Sequence, residues 1–268
     1  MKPFVKWVGG KRQLLEQIKK RMPEKYNNYY EPFVGGGALL FEVSPNKAII
    51  NDINQQLINV YNQIKFNIED LIFEINEIDS LNNGKEYFYK LRDEYNQNIL
   101  NKNLNARIAA LFIFLNKHCF NGVYRVNKNG LFNVPYNGKV TTSIDPDNLW
   151  KVHEFLQNVK IENTDFATVL KNAKKDDFIF IDSPYAPLNS TSFDAYTNTG
   201  FNLDDHIRLA NLVKKLDQKG CKILLTNHNT PLINELYENY KIEVIPVKRM
   251  INSVGSNRKG EEVIITNY

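Results

Sequence analysis

The chain has 268 residues, of which 43% are hydrophobic and 24% are charged, and its net charge is +4. This length and apolar fraction allow a sizeable core, so we expect one domain with an insertion or two closely connected domains, without extended disorder. The charge is mildly basic. By itself it is weak grounds for a nucleic-acid partner, because many unrelated soluble proteins share it.

Nothing in the sequence indicates a membrane or secreted protein. The longest apolar run, AALFIFL at 109–115, is much shorter than the roughly 20 residues that span a bilayer. A Gly-Gly pair interrupts the N-terminal segment, where a signal peptide needs a continuous apolar core. Cys119 and Cys221 lie about a hundred residues apart and indicate reduced thiols, not a disulfide framework. We therefore expect a soluble, unexported, cytoplasmic protein.

Short apolar, β-branched or aromatic runs bounded by turn residues predict strands along the chain. In order they are YYEPFV, KAIIND, VKIENTDF, DFIFID, CKILLTN, IEVIPVKR and EEVIITNY. Helical patterns lie between many of them, namely GKRQLLEQIKKRM, INQQLINVYNQI, TDFATVLKNA and NLDDHIRLANLVKKLDQKG. This alternation predicts an α/β fold with a largely parallel sheet covered on both faces.

The region from about 60 to 150 breaks this alternation and predicts an insertion. It begins with the helical, aromatic patterns IEDLIFEINEI, EYFYKLRDEY and NARIAALFIFLNKH. It then becomes the Gly- and Asn-rich stretch NGVYRVNKNGLFNVPYNGK, which predicts a β-hairpin with the turn NKNG.

The stretch YYEPFVGGGALLFEV at 29–43 runs from a strand through three glycines into an apolar helix. Such a turn allows a ligand to approach the backbone and offers it the free N–H groups of the helix. A purely structural tight turn is the alternative. The next strand ends at Asp52, where a carboxylate can bind the ribose hydroxyls of a cofactor or, alternatively, cap a helix.

The N-terminal stretch KWVGGKRQLL resembles a phosphate-binding loop only superficially, because Arg12 stands where that motif needs Ser or Thr. Trp7 and Lys11 flank the glycine bend. They could offer a π-face and a cation to a small ligand, although a tryptophan taken singly is usually part of the core.

The stretch DDFIFIDSPYAPL takes the most apolar strand into Asp182 and Tyr185. Ligands of parallel sheets bind outside the carboxyl ends of strands. A hydrogen-bond acceptor next to an aromatic face suits a flipped-out base, whose ring needs stacking and whose amine needs acceptors. An ordinary turn is the alternative for this segment alone.

Taken in order, KWVGGK, EPFVGGGALLF, NGVYRVNKNGLFNVPY, IDSPYAPL and LLTNHNTP resemble the Dam-type DNA adenine-N6 methyltransferases of the D12 class and alpha group, GATC-specific branch. The resemblance covers essentially the whole chain. It implies an S-adenosylmethionine-dependent, Rossmann-like sheet with an inserted, mainly helical target-recognition domain that carries a β-hairpin. Residues 1–59 and 149–268 would form the catalytic, cofactor-binding domain and residues 60–148 the target-recognition domain.

The resemblance also implies residue roles. The glycine turn Phe33–Gly37 would line S-adenosylmethionine, Asp52 would bind its ribose, and Asp165 with Phe166 would lie beside its adenine. The cofactor-binding positions together are Trp7, Lys11, Phe33, Gly35, Asp52, Asp165, Phe166 and Asp182. The catalytic positions are Asp182, Ser183, Pro184 and Tyr185, where Asp182 and the Ser183 carbonyl would accept the N–H groups of adenine N6 and Tyr185 would stack on the base.

For double-stranded DNA, the resemblance assigns Arg125 to a guanine of GATC. Val123 and Tyr124 would touch neighbouring bases or pack the hairpin, and Asn121 is a further DNA-binding position. Arg249, Arg258 and Lys259 would contact phosphates. A restriction endonuclease is a possible partner, and no metal site is expected because the four histidines and two cysteines show no ligand spacing.

One position departs from the family, whose catalytic motif is Asp-Pro-Pro-Tyr where this chain has Ser183. The acceptor there is a backbone carbonyl, which serine retains, so we expect an active enzyme. Two alternatives stay open: an amino-methyltransferase for cytosine N4 or another substrate, and a weakly active or non-catalytic DNA-binding homologue.

Overall fold

The computed structural model describes residues 1–7, 14–188, 200–248 and 259–268. In these ranges one mixed sheet has the strand order β3-β2-β1-β4-β5-β7-β6. Its strands are β1 Tyr29–Glu31, β2 Ala48–Asn51, β3 Val159–Glu162, β4 Phe178–Ile181, β5 Lys222–His228, β6 Lys241–Lys248 and β7 Lys259–Thr266. Every strand predicted from the sequence is confirmed.

The direction of the strands follows the alternation of strands and helices in the sequence. β1 pairs in parallel with β2 and β4, and β4 pairs in parallel with β5. β7 pairs antiparallel with both β5 and β6. β4 is buried at every position, as its unbroken apolar run FIFI predicts. The predicted α/β fold with a largely parallel sheet is confirmed.

The described helices follow the predicted patterns with two exceptions. They are α1 Leu15–Lys19, α2 Ala38–Val43, α3 Gln55–Phe66, α4 Ile68–Ser80, α5 Lys85–Leu100, α6 Ala106–His118, α7 Pro146–Leu156, α8 Phe166–Val169, α9 Leu203–Gln218 and α10 Pro231–Leu236. The exceptions are α7 and α10, which were not predicted from the sequence. Side chains cap several of them, and at α9 Asn202 and Asp205 form a reciprocal capping box. In the part of the chain that the structure describes, no helix is long and apolar enough to cross a membrane.

The chain divides into two units. The first comprises Met1–Lys11, Val34–Ser44 and Asp52–Asn163. Its centre is α6, which is buried along most of its length and packs on α3, α4 and α5. The second comprises Arg12–Phe33, Pro45–Asn51 and Thr164–Tyr268, and its core includes side chains of β4, β5, β7 and α9. The target-recognition role of residues 60–148 stays a prediction.

The predicted hairpin is present in the first unit. The Gly130 amide donates to the Asn127 carbonyl at 2.9 Å and the Asn127 amide donates to the Leu131 carbonyl at 2.8 Å. Val126 and Phe132 form an antiparallel bridge beside this turn. The Asn127 side chain accepts two further backbone N–H bonds, so the turn NKNG is closed by its own asparagine, as expected for this residue type.

Candidate active site

The glycine turn after β1 encloses an aromatic side chain of the same unit. Gly35 has a positive φ of 49°, and a Cβ atom added there would lie 2.6 Å from Cδ1 of Trp7. Glycine is therefore required for the approach of Trp7. Tyr61 donates from Oη to the Gly35 carbonyl at 3.0 Å and holds the turn from the side of α3.

Asp52 is attached to the same turn. One carboxylate oxygen of Asp52 accepts the Gly35 amide at 3.1 Å and the other accepts the Asn54 amide at 2.8 Å. Burial raises the pKa of Asp52, and the two amides oppose this shift. The cap of α3 is Asn54, whose side chain accepts from Gln56 and Leu57. The helix-cap interpretation of Asp52 was therefore wrong, while its cofactor role stays a prediction.

Trp7 lies in an aromatic stack. Its ring is parallel to those of Phe112 and Tyr124, with centroid distances of 6.3 and 5.9 Å. Tyr124 also stacks on Phe112 at 4.7 Å, and its hydroxyl lies 3.2 Å from that of Tyr95. Tyr124 thus packs the base of the hairpin, which is one of its two predicted roles. Lys11 lies outside the described residues.

In the second unit, Phe33 and Phe166 pack together with Phe201, with centroid distances of 5.4 to 5.8 Å. Asp165 caps α8 by accepting the Ala167 amide. It also forms two hydrogen bonds of 2.8 Å with the guanidinium of Arg208, which covers the Phe166 ring at 4.1 Å. This pairing lowers the pKa of Asp165.

The sequence reasoning did not identify Arg208 as part of this group, because its partner is 43 residues away. The only local signal is the position of Arg208 in the first turns of α9, on a pattern otherwise read as a plain amphipathic helix.

Asp182 directly follows β4, as predicted. Thr226 of β5 donates from Oγ1 to Oδ1 of Asp182 at 3.0 Å. Ser183 is buried, and its Oγ has no hydrogen-bond partner among the described residues. Two residues beyond Pro184, the Ala186 amide donates to Oδ1 of Asn227 at 2.8 Å. The corner is therefore attached to the end of β5.

Tyr185 is held at its hydroxyl and at its ring. Its Oη donates to Oε2 of Glu262 at 2.9 Å, and its ring lies edge-to-face with that of His228 at 4.8 Å. Burial and the charges of Asp182 and Glu262 raise the pKa of Tyr185 well above its ordinary value. The tyrosine is therefore a neutral aromatic group at physiological pH.

Glu31, the last residue of β1, is a buried carboxyl group that the sequence reasoning did not identify. Tyr29 donates to its Oε2 at 2.7 Å. The pKa of Glu31 is raised to about 8, mainly by burial; the Tyr29 hydrogen bond opposes this shift and the charge of Asp182 adds to it. The glutamate therefore tends to hold a proton in the folded chain.

The residues predicted to bind DNA are spread over separate segments. Arg125 is exposed on the hairpin, and its Nε donates to Oδ1 of Asn133 at 3.0 Å. Asn121 is exposed with a left-handed backbone, φ 56°, and Val123 is partly buried. Lys259 begins β7. Arg249 and Arg258 lie outside the described residues.

No group of His, Cys, Asp and Glu side chains in the described ranges could hold a metal ion. Both cysteines are buried, and burial raises the pKa of each thiol to about 11. They are therefore inert thiols.

The model of the D12 class N6 adenine-specific DNA methyltransferases matches residues 7–251. The chain is 43% identical to the type II methyltransferase M1.LlaDCHI of Lactococcus lactis subsp. cremoris, over 100% of this chain and 96% of that protein. It is 44% identical to the type II methyltransferase M.MjaIII of Methanocaldococcus jannaschii, over 100% and 99%. It is 33% identical to the DNA adenine methylase of Escherichia coli K12, over 99% and 94%. The chain belongs to the D12 class N6 adenine-specific DNA methyltransferase family.

Proposed function

We propose that the chain transfers a methyl group from S-adenosylmethionine to N6 of an adenine flipped out of double-stranded GATC. The observation that carries this proposal is the corner after β4. There the carboxylate of Asp182 and the ring of Tyr185 are both fixed by hydrogen bonds from neighbouring strands. A fixed acceptor beside an aromatic ring is what an extruded adenine requires.

The residues of the corner account for the activation of the amine. The lone pair of adenine N6 is delocalised into the ring, so the nitrogen is a poor nucleophile. Asp182 and the Ser183 carbonyl would accept its two N–H bonds, draw the nitrogen towards tetrahedral geometry and offset the positive charge that grows on it. Acceptors that are already oriented contribute a few kcal/mol, on the order of 3. S-adenosylmethionine supplies the electrophilic methyl group.

The residues present fit this donor. Gly35 has no side chain and a left-handed backbone, and Asp52, already oriented by two amides, is not fully buried and retains acceptor capacity for ribose hydroxyls. In the second unit, Phe33 and Phe166 present aromatic surface suited to a purine. We propose that these residues, with Trp7, Lys11 and Asp165, hold the cofactor.

The exposed Arg125 supports recognition of guanine. Its Nε is used by Asn133, which orients the guanidinium plane, and the described residues provide no other partner for the two terminal nitrogens. Two parallel N–H donors match O6 and N7 of guanine in the major groove. We propose that Arg125 reads the guanine of GATC, with Asn121 and Val123 near the neighbouring bases and Lys259, Arg249 and Arg258 on phosphates.

Transfer of radiolabelled methyl groups tests the proposal. The substrates are a GATC duplex, a GTAC duplex of the same composition, and a GATC duplex whose target adenines already carry an N6-methyl group. We expect label on the first duplex alone, recovered as N6-methyladenine after digestion. Label on no duplex overturns the proposed function, label on cytosine N4 supports the alternative amino-methyltransferase, and equal label on GATC and GTAC overturns the sequence specificity alone.

Two relatives named type II methyltransferases support a modification role. We infer that the chain works in the cytoplasm beside a restriction endonuclease that cleaves the same site. Plasmid DNA from cells that express the chain should resist an endonuclease that cuts unmethylated GATC. Full cleavage of that DNA would contradict the modification role.

The second candidate, a DNA-binding homologue of low activity, is favoured by one observation, the buried and unpartnered hydroxyl of Ser183. A Ser183→Pro variant restores the motif of the family and separates the two candidates. We expect its turnover to differ from that of the wild type by no more than about fivefold, since the lost pre-organisation amounts to roughly 1 kcal/mol. A much larger gain would support low native activity.

A further inference from the structure

The proposed mechanism assigns no role to the residues LLTNHNTP at the end of β5. Its Thr226 is fully buried and follows Leu225, which pairs in parallel register with Ile181 of β4. The register therefore brings Thr226 level with Asp182, the first residue after β4. The hydrogen bond from Thr226 Oγ1 to Asp182 Oδ1 is the direct result of this alignment.

Thr226 also contacts the second catalytic side chain. Its hydroxyl donates to Asp182 and also lies near enough to the Tyr185 hydroxyl to lower the pKa of that tyrosine, against the larger effect of burial. Threonine has one hydroxyl proton, which goes to the Asp182 carboxylate, and its oxygen lone pairs remain available to the tyrosine hydroxyl. Tyr185 donates its own proton to Glu262.

The two residues after Thr226 secure the same corner from the backbone side. Oδ1 of Asn227 accepts the Ala186 amide, and Nδ1 of His228 lies 2.8 Å from the Ala186 carbonyl. The His228 ring faces Tyr185 edge-on. The end of β5 therefore fixes both the backbone and the side chains of the segment 182–186.

We propose that Thr226 is a positioning residue that couples the orientation of Asp182 to that of Tyr185, so that the acceptor for N6 and the stacking surface for the base are set together. This inference rests on the proposed function. A carboxylate that loses a buried donor can rotate about its χ2 angle, and misplaced catalytic groups lower turnover more than they lower substrate affinity.

The test compares Thr226→Val, which keeps the shape of the side chain and removes the hydroxyl, with Thr226→Ser, which keeps the hydroxyl. We expect Thr226→Val to lower kcat about 10- to 100-fold, as loss of a supporting hydrogen bond does at other sites, while KM for DNA changes less than about threefold. Thr226→Ser should restore kcat to within about threefold of the wild type.

Thr266→Val is the matched control, because Thr266 is a buried threonine of the same sheet whose hydroxyl bonds to the Tyr268 carbonyl. It should leave kcat unchanged. With 2-aminopurine at the target position, Thr226→Val should also show a weaker or altered fluorescence change on DNA binding, because the flipped base is less well held by Tyr185.

The results separate the inference from the proposed function. If the wild type methylates adenine and Thr226→Val retains its kcat, or if Thr226→Ser is as impaired as Thr226→Val, the positioning role is wrong. If the wild type methylates no DNA, the proposed function fails. Urea unfolding then tests whether Thr226 and Asp182 are energetically coupled. Thr226→Val and Asp182→Ala should then shift the midpoint non-additively, and additive shifts would contradict the coupling.

Discussion

Ser183 places a hydroxyl group in a buried position where the family has a proline ring. The structure describes no partner for Ser183 Oγ. A buried hydroxyl without a hydrogen bond costs free energy, because it has exchanged water for an apolar surrounding. The group that we propose takes part in the chemistry at this position is the backbone carbonyl, which every residue retains. The serine side chain is therefore dispensable on physical grounds.

We predict that Ser183→Ala raises the free energy of unfolding by about 1 kcal/mol, since it removes an unsatisfied polar group. The matched control is Ser143→Ala. Ser143 is also buried, but its Oγ donates to Oδ1 of Asp79 at 2.6 Å. Its loss should lower the free energy of unfolding by about 2 kcal/mol. Urea denaturation measures both changes. A destabilised Ser183→Ala variant would mean that the hydroxyl has a partner outside the described segments.

Glu31 is the second residue whose environment is unusual, and it makes stability depend on pH. The folded chain holds the Glu31 proton up to a pKa of about 8, whereas an unfolded glutamate loses it near 4.5. Between these values unfolding releases a proton. A rise in pH therefore favours the unfolded chain, and the contribution of Glu31 to stability falls from about pH 4.5 to about pH 8.

We predict that Glu31→Gln flattens the dependence of the unfolding free energy on pH between about 5 and 8, where the wild type loses up to roughly 1.4 kcal/mol per pH unit. Tyr29→Phe removes the bond that lowers the pKa of Glu31, so it should extend the decline to higher pH. Urea denaturation at a series of pH values measures the slopes. Equal slopes in wild type and Glu31→Gln would show that Glu31 is ionised in the folded chain.

At the scale of the elements, the turn between β1 and α2 and the turn of the hairpin use glycine for different reasons. Gly35 needs both its positive φ and the absence of a side chain, because Trp7 occupies the space of a Cβ atom. Gly130 needs only its φ of 76°, because nothing lies within 4 Å of an added Cβ. An alanine at Gly130 would therefore introduce backbone strain alone, whereas an alanine at Gly35 would introduce backbone strain and steric overlap with Trp7.

We predict that Gly130→Ala lowers the free energy of unfolding by about 1 kcal/mol, the cost of a left-handed alanine. Gly35→Ala should cost about 2 to 4 kcal/mol, because overlap with Trp7 is added. Urea denaturation gives both values, and a changed Trp7 fluorescence should accompany Gly35→Ala alone. Equal costs would show that Trp7 moves aside without penalty.

The strands and most helices could be predicted because each is specified by its own residues. FIFI has no polar position and becomes the fully buried β4, and NKNG carries the asparagine and glycine that its turn requires. TDFATVLKNA was a partial exception. It forms only the four residues of α8 and a 3-10 turn, because its length admits little more than two turns.

At the scale of the whole molecule, the contacts of the site that the sequence did not predict are those between residues far apart along the chain. Asp182 was identified from its place after an apolar strand, but its partner Thr226 is 44 residues away. Tyr185 and Glu262 are 77 residues apart. The sheet order brings these residues together, and no local pattern encodes it. Glu31 was missed because its neutral, buried state depends on that order too.

The proposed sequence-specific methylation would need the hairpin as well as the catalytic corner, and Arg125 is the hairpin residue proposed to read guanine. Replacing Arg125 by lysine retains the charge and removes the two parallel donors that match guanine. The test compares kcat/KM on a GATC duplex with kcat/KM on the same duplex carrying 7-deazaguanine, which lacks the N7 acceptor. We predict that the ratio of the two values falls about 10- to 100-fold in Arg125→Lys, since one bidentate contact discriminates by roughly 1–3 kcal/mol. The wild type should lose activity on the 7-deaza duplex, whereas the variant should treat both duplexes alike.

Lys128→Ala is the control for charge on the same hairpin, because Lys128 is exposed in the turn between Asn127 and Gly130. A contact to phosphate carries no sequence information, so this variant should weaken both duplexes equally and reduce the salt dependence of binding. Methylation rates over a range of salt concentrations measure both effects. If Arg125→Lys also weakens both duplexes equally, Arg125 contacts the backbone, and another residue reads the guanine.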